Sequence, residues 1–162
     1  MKVNLPYSFS LKAFTIIELL ITVAIIGILS AATIPSLSNF GSERATRLSA
    51  DQFVADLELL RSKSLAGVYA ENEKVRWGLQ FGNTSYTMGY LKGESPNHSS
   101  VGVQTMELQK SLFVPANGGV YFEALTGRYY TGEDSITINS TDGSISYTIT
   151  INKNGRIVKN KN

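Results

Sequence analysis

Phe14–Pro35, FTIIELLITVAIIGILSAATIP, is an almost unbroken apolar run with a single charge, Glu18, at its fifth position. About 20 such residues are enough to cross a bilayer as a helix. An acidic side chain at the centre of such a run costs on the order of 3 kcal/mol. A short leader, residues 1–13, precedes the run and carries Lys2 and Lys12 but no acid. A charge kept at such cost asks for a function.

Three readings fit the run. A plain anchor needs only the length. A removable secretory signal needs a basic leader, an apolar core and a small-residue cut site, for which Ser30-Ala31-Ala32 would serve. In the third, a peptidase cuts between Ala13 and Phe14 and leaves the run on the mature chain. Glu18 separates them, because an anchor or a discarded signal gains nothing from the charge. After a cut before Phe14, Glu18 is the fifth residue and lies one helical turn from a free amine. That cation can neutralise the carboxylate.

The stretch Ala13-Phe14-Thr15-Ile16-Ile17-Glu18-Leu19-Leu20 resembles the type IV prepilin cleavage and methylation motif. Ala13 stands where that family has Gly, so a small residue is kept. Gly27 and Pro35 match the helix-loosening Gly and Pro of pilin stalks. The resemblance implies cleavage by a membrane prepilin peptidase and N-methylation of Phe14. It also implies storage as a single-pass protein of the cytoplasmic membrane and lifting into a filament of pilins by an assembly ATPase and platform protein. Lys2 and Lys12 before the run favour leader inside and head outside.

Composition narrows the rest. The chain has 162 residues and a formal charge of +2. That excess comes from Lys2 and Lys12, so removal of the leader leaves 15 − 2 = 13 basic against 13 acidic side chains. A near-neutral mature chain has no general affinity for nucleic acid. There are no cysteines, which excludes disulfides, thiolate metal sites and cysteine nucleophiles. The sequons at Asn83, Asn97 and Asn139 carry no argument in a chain of bacterial type.

The expected organisation is a leader (1–13), a transmembrane and assembly half of a stalk helix (14–35), its second half (36–67) and an antiparallel β head (68–162). Pro35, Ser36 and Gly41 interrupt the helical pattern. From Glu43 to Ala66 the spacing is helical again. Phe53, Leu57, Leu60 and Ser64 lie on one face, flanked by Ala50, as the seat of the head. Leu48, Ala55 and Leu59 form a narrower stripe assigned to neighbouring subunits, and Gly67 is the expected C-cap.

Beyond Gly67 the period becomes two. Val75–Phe81 and Tyr86–Tyr90 flank Gly82-Asn83 as a hairpin. Lys92–Gly102 reads as a loop, Met106–Val114 as a weak strand and Val120–Leu125 as a strand closed by Thr126-Gly127. Ser135–Asn139 and Ser144–Ile151 flank the turn Thr141-Asp142-Gly143, and Asn154-Gly155 turns into Arg156–Lys159. The sum is an α+β, pilin-like fold: one long helix packed on about six or seven antiparallel strands.

Three segments resemble minor pseudopilins of the GspH/FimT type: Leu57-Glu58-Leu59-Leu60-Arg61-Ser62-Lys63-Ser64, Val120-Tyr121-Phe122 with Thr126-Gly127, and Asn154-Gly155-Arg156-Ile157. Ser64 replaces the usual Ala. FimT-like proteins of DNA-uptake pili carry a C-terminal Gly-Arg-x-Arg that contacts DNA. Here Gly155-Arg156 matches, while Val158 stands at the second Arg. Lys153, Arg156, Lys159 and Lys161 form a local basic tail, readable as phosphate contacts or as a solvated edge.

No catalytic constellation, cofactor or metal site is expected. His98 is the only histidine and sits in a polar stretch, and Asp142 lacks the neighbouring carboxylates a calcium turn needs. The two resemblances imply a structural subunit, minor rather than major, of a type IV pilus or type II secretion pseudopilus. The competitors are a FimT-like DNA-binding subunit and a secreted β-rich binding protein cut after Ala32.

Overall fold

The computed structural model describes residues 14–93 and 99–162, and over 31–39 the backbone alone. Ala13, the leader, Asn97 and His98 lie outside the described residues. The chain divides into two compact units, one ending at Ser38 and one spanning Asn39–Asn162.

Helix α1 (Ile16–Leu65) contributes to both units. It is helical across Pro35 and Gly41, where the sequence pattern reads as interrupted. A helix interior loses one backbone bond at a proline, and α1 continues through that loss. Its end is a Schellman motif. Val68 N–H donates to the Lys63 carbonyl (3.0 Å) and Gly67 N–H to the Ser64 carbonyl (3.1 Å), with Gly67 at φ +62°.

Eleven strands follow among the described residues. They are β1 (Tyr69–Ala70), β2 (Glu73–Lys74), β3 (Arg76–Phe81), β4 (Ser85–Lys92), β5 (Ser99–Glu107) and β6 (Ser111–Val114), then β7 (Gly118–Phe122), β8 (Tyr129–Gly132), β9 (Ser135–Ser140), β10 (Ser146–Ile151) and β11 (Ile157–Lys161). All pairings are antiparallel. One sheet has five strands in the order β5-β4-β3-β7-β8, another has four in the order β11-β10-β9-β6, and β1-β2 form a small ribbon. The head is thus a helix against two sheets, the α+β pilin-like class.

The expected hairpins β3-β4, β9-β10 and β10-β11 are present. Other boundaries differ. Ser99–Gly102, read as loop, is the start of β5. Its polar sequence carries no alternation because β5 is a sheet edge, exposed along most of its length. Met106–Val114 is not one strand: β5 ends at Glu107, Lys110 turns at φ +51°, and β6 begins at Ser111 in the other sheet. The strand at 120–125 is shifted to Gly118–Phe122, and Leu125 lies in a turn at φ +67°. The last strand starts at Ile157 and reaches Lys161. β1, β2 and β8 were not foreseen; two or four residues are too few to show a period.

The second half of α1 supplies the centre of the core. Ala50, Phe53, Leu57, Leu60 and Ser64 are all fully or almost fully buried, as the stripe predicts, and Thr46 and Ser42 extend it. The steps 46, 50, 53, 57, 60, 64 alternate four and three, so the side chains stay on one face. Phe53 meets Phe81 of β3, Tyr86 of β4 and Phe113 of β6 at ring-centroid distances of 6.4, 5.1 and 5.0 Å. One ring thereby joins both sheets. Asp56 is buried on the same face and accepts bonds from Tyr86 Oη (2.5 Å) and Gln52 Nε2 (3.1 Å). Burial, and then the Asp56 bond, push the Tyr86 phenol upward, so it remains a donor.

In the β9-β10 turn Asp142 Oδ1 accepts from Ser140 Oγ (2.6 Å), Ser144 Oγ (2.6 Å) and Ser144 N–H (2.9 Å). The carboxylate is committed to its own turn. Those bonds, Ser140 first, hold its pKa well below the usual carboxyl range. Two outcomes follow from this packing. Phe53→Ala lowers unfolding free energy by about 3–5 kcal/mol, read by denaturant titration of the detergent-solubilised chain. For Asp142 the folded pKa is depressed, so its contribution is complete above the ordinary carboxyl pKa near 4 and is lost as pH falls further. Thermal melts of Asp142→Asn should therefore lose less stability than the parent between about pH 4 and pH 2; equal losses would contradict the assignment.

Candidate processing and assembly site

The start of α1 is built by Thr15. Its Oγ1 accepts the Glu18 N–H (3.3 Å) and its carbonyl accepts the Leu19 N–H (3.2 Å), so Thr15 is the N-cap and Glu18 the third helical residue. Thr15-x-x-Glu18 is the spacing of a capping box, a signal present in the sequence but not read from it. Glu18 also lies in the first turn, where the helix dipole favours an anion. Phe14 and Glu18 are exposed, whereas Ala13, the other side of the expected cut, lies outside the described residues.

From Phe14 to Leu29 the large apolar side chains are exposed all round the helix. A Cβ placed on Gly27 would meet no other atom of the chain. A helix apolar on every side is covered by lipid or by other protein, not by water. Among the described residues no helix is long and apolar enough to cross a membrane; side chains of the run are described only as far as Ser30. Pro35 is within α1, and its side chain lies outside the described residues.

Three separate sequence segments meet at the C-terminal end of α1. Arg61 Nε donates to the Gly127 carbonyl (3.2 Å) and Arg61 Nη2 to the Asn154 carbonyl (3.4 Å). Ser64 Oγ donates to the Phe122 carbonyl (3.4 Å) and accepts the Trp77 N–H (3.2 Å). The Ser64 carbonyl also accepts the Leu125 N–H (2.7 Å). Gly155, at φ +76°, leaves the room this needs: a Cβ there would stand 2.0 Å from the Gly127 carbonyl oxygen and 2.9 Å from Arg61 Nε. The helix end, the β7 segment and the closing hairpin are thus held by one arginine and one serine.

The four cations of the basic tail divide into two pairs. Lys159 forms an ion pair with Asp51 and lies over the Tyr147 ring at 5.2 Å. Lys161 Nζ is 2.7 Å from Glu43 Oε1, and that bond holds the ammonium above its ordinary value. Both carboxylates belong to α1, so β11 is strapped along the helix. Lys153 and Arg156 sit on the β10-β11 turn, where Asn152 Oδ1 accepts the N–H groups of Asn154 and Arg156, and both are exposed. An anion meeting this region would find two unoccupied cations, not four, among the described residues.

No curated protein and no solved structure matches this chain. Residues 11–34 match the family described as Prokaryotic N-terminal methylation motif. The match takes in Ala13, Phe14, Glu18 and Gly27, so the chain carries a type IV pilin-like prepilin signal at the start of α1.

Proposed function

We propose that this chain is a minor structural subunit, not an enzyme, of a type IV pilus or type II secretion pseudopilus, of the GspH/FimT type. Prepilin peptidase removes residues 1–13, cutting between Ala13 and Phe14, and Phe14 is N-methylated. Residues 14–35 are the transmembrane and assembly half of the helix. Residues 36–67 seat the head formed by 68–162. The subunit waits in the cytoplasmic membrane with its head outside, then joins other pilins through the platform protein and ATPase. The carrying observation is the prepilin signal over residues 11–34, with Glu18 in the first turn of a helix that begins beside the cut.

Glu18 sets the register. In lipid, an unpaired carboxylate is costly, and the Phe14 amine of an adjacent subunit is the cation that offsets it. A staggered neighbour leaves both charges unpaired. Breaking a buried pair in that way costs about 3–5 kcal/mol. Gly27 removes a side chain where helices approach. Pro35 frees one backbone carbonyl in the same stretch. Leu48, Ala55 and Leu59, exposed on the side of α1 away from the core, face neighbouring subunits.

The N-terminus and intact mass of the protein from host membranes test the processing. A chain beginning at methylated Phe14 is expected. One beginning at Thr33 would remove Glu18 and make the protein a secreted soluble domain. Glu18→Ala is expected to insert into the membrane as the parent does but to lose most of its incorporation into filaments, measured by immunoblot of sheared filament and membrane fractions. Undiminished incorporation would refute the register role.

A further inference from the structure

Beyond the end of the apolar run, α1 carries Phe40, Arg44 and Arg47. Their spacing, i, i+4 and i+7, places all three on one face of the helix. Phe40 is 72% exposed, and Arg44 and Arg47 are also exposed. With Glu43 they line a cavity of about 460 Å³.

The charge balance of this face is decided from across the head. Glu43 and Asp51 are the acids nearest to Arg44 and Arg47 along α1. Lys161 takes Glu43 at 2.7 Å, and Lys159 takes Asp51. Arg47 Nε remains 3.8 Å from Asp51 Oδ2, a loose contact between two exposed side chains that water largely screens. Arg44 has no ion-pair partner among the described residues. Two helix acids are therefore neutralised by the last strand, and two guanidinium groups beside an exposed aromatic ring are left over.

We propose that Phe40, Arg44 and Arg47 form a docking surface for anionic lipid headgroups. The inference rests on the reading that the preceding apolar run is membrane-embedded. Phe40 follows Ile34, the last apolar residue of that run, within two helical turns along the sequence. An aromatic ring followed by cations at the end of an apolar helix is the chemistry of the bilayer interface. Arginine suits the task because its planar fork holds phosphate oxygens through two parallel hydrogen bonds. The strap of β11 onto α1 thereby has a second effect, since it strips the arginines of their local counter-ions.

The test is native mass spectrometry of the full chain in detergent, titrated with phosphatidylglycerol or with phosphatidylcholine. Retention of phosphatidylglycerol is expected to be favoured by up to about thirtyfold, the scale of two cations near a charged bilayer surface. Arg44→Gln with Arg47→Gln should abolish that preference and leave phosphatidylcholine retention unchanged. Both side chains are exposed, so circular dichroism of the double variant should match the parent. Equal retention of the two lipids, or a preference that survives the double substitution, would overturn the proposal. So would arginine-dependent binding of a short DNA duplex in preference to phosphatidylglycerol. Alkaline extraction of membranes tests the anchor separately. A chain that is released overturns the embedded reading itself, whereas one that resists extraction without a lipid preference overturns only the docking.

Discussion

One face of α1, from Thr46 to Ser64, is the constraint on which the head depends. Its residues step by four and three so that Thr46, Ala50, Phe53, Leu57, Leu60 and Ser64 stay buried over about five helical turns. Neither sheet is closed, and each has an apolar side to cover. Phe53 reaches both through Phe81, Tyr86 and Phe113. Phe81 and Tyr86 also meet Phe113 directly, at 5.0 and 6.1 Å, so Phe53 completes a cluster of four rings between the two sheets of a chain with no disulfide.

Polar groups fix what the apolar stripe leaves free. An apolar face tolerates a helix that slides or rotates a little, because dispersion has no direction. Hydrogen bonds do have direction. Arg61 and Ser64 pin the helix end to carbonyls of Phe122, Gly127 and Asn154, while Asp56 accepts the buried Tyr86 hydroxyl. Toward the other end of the seated segment, Lys159 and Lys161 bind Asp51 and Glu43. These surface pairs contribute little stability singly, because water screens them, but they set the position of β11 along α1.

The same helix obeys two different rules along its length. Up to Leu29 its large apolar residues are exposed on every side. From Thr46 onward one face is buried, and the rest carries Arg, Asp, Gln and Glu together with the exposed Leu48, Ala55 and Leu59. A single regular element therefore has a segment that is apolar all round and a segment with one buried face. That division is why a carboxylate at Glu18 and a carboxyl at Asp56 have unlike partners: the first lies in the capped first turn, the second is satisfied by a tyrosine and a glutamine of the same chain.

Sequence alone determined the long helix, the face it buries, its glycine stop and the three tight hairpins, because each rests on a local period or a turn residue. The prepilin signal was legible for the same reason: the motif lies within one short stretch, residues 11–34. The Thr15 cap was equally local and was overlooked. Tertiary structure decided the rest. That β5 and β6 lie in different sheets, and that β7 pairs with β3, depends on contacts between residues far apart in sequence. The polar edge strand β5 shows no periodicity because both of its faces are largely exposed, so neither is selected to be apolar. The basic tail looked like four equivalent cations; only the fold brings Glu43 and Asp51 beside two of them, because an ion pair is set by distance in space and the sequence records only distance along the chain.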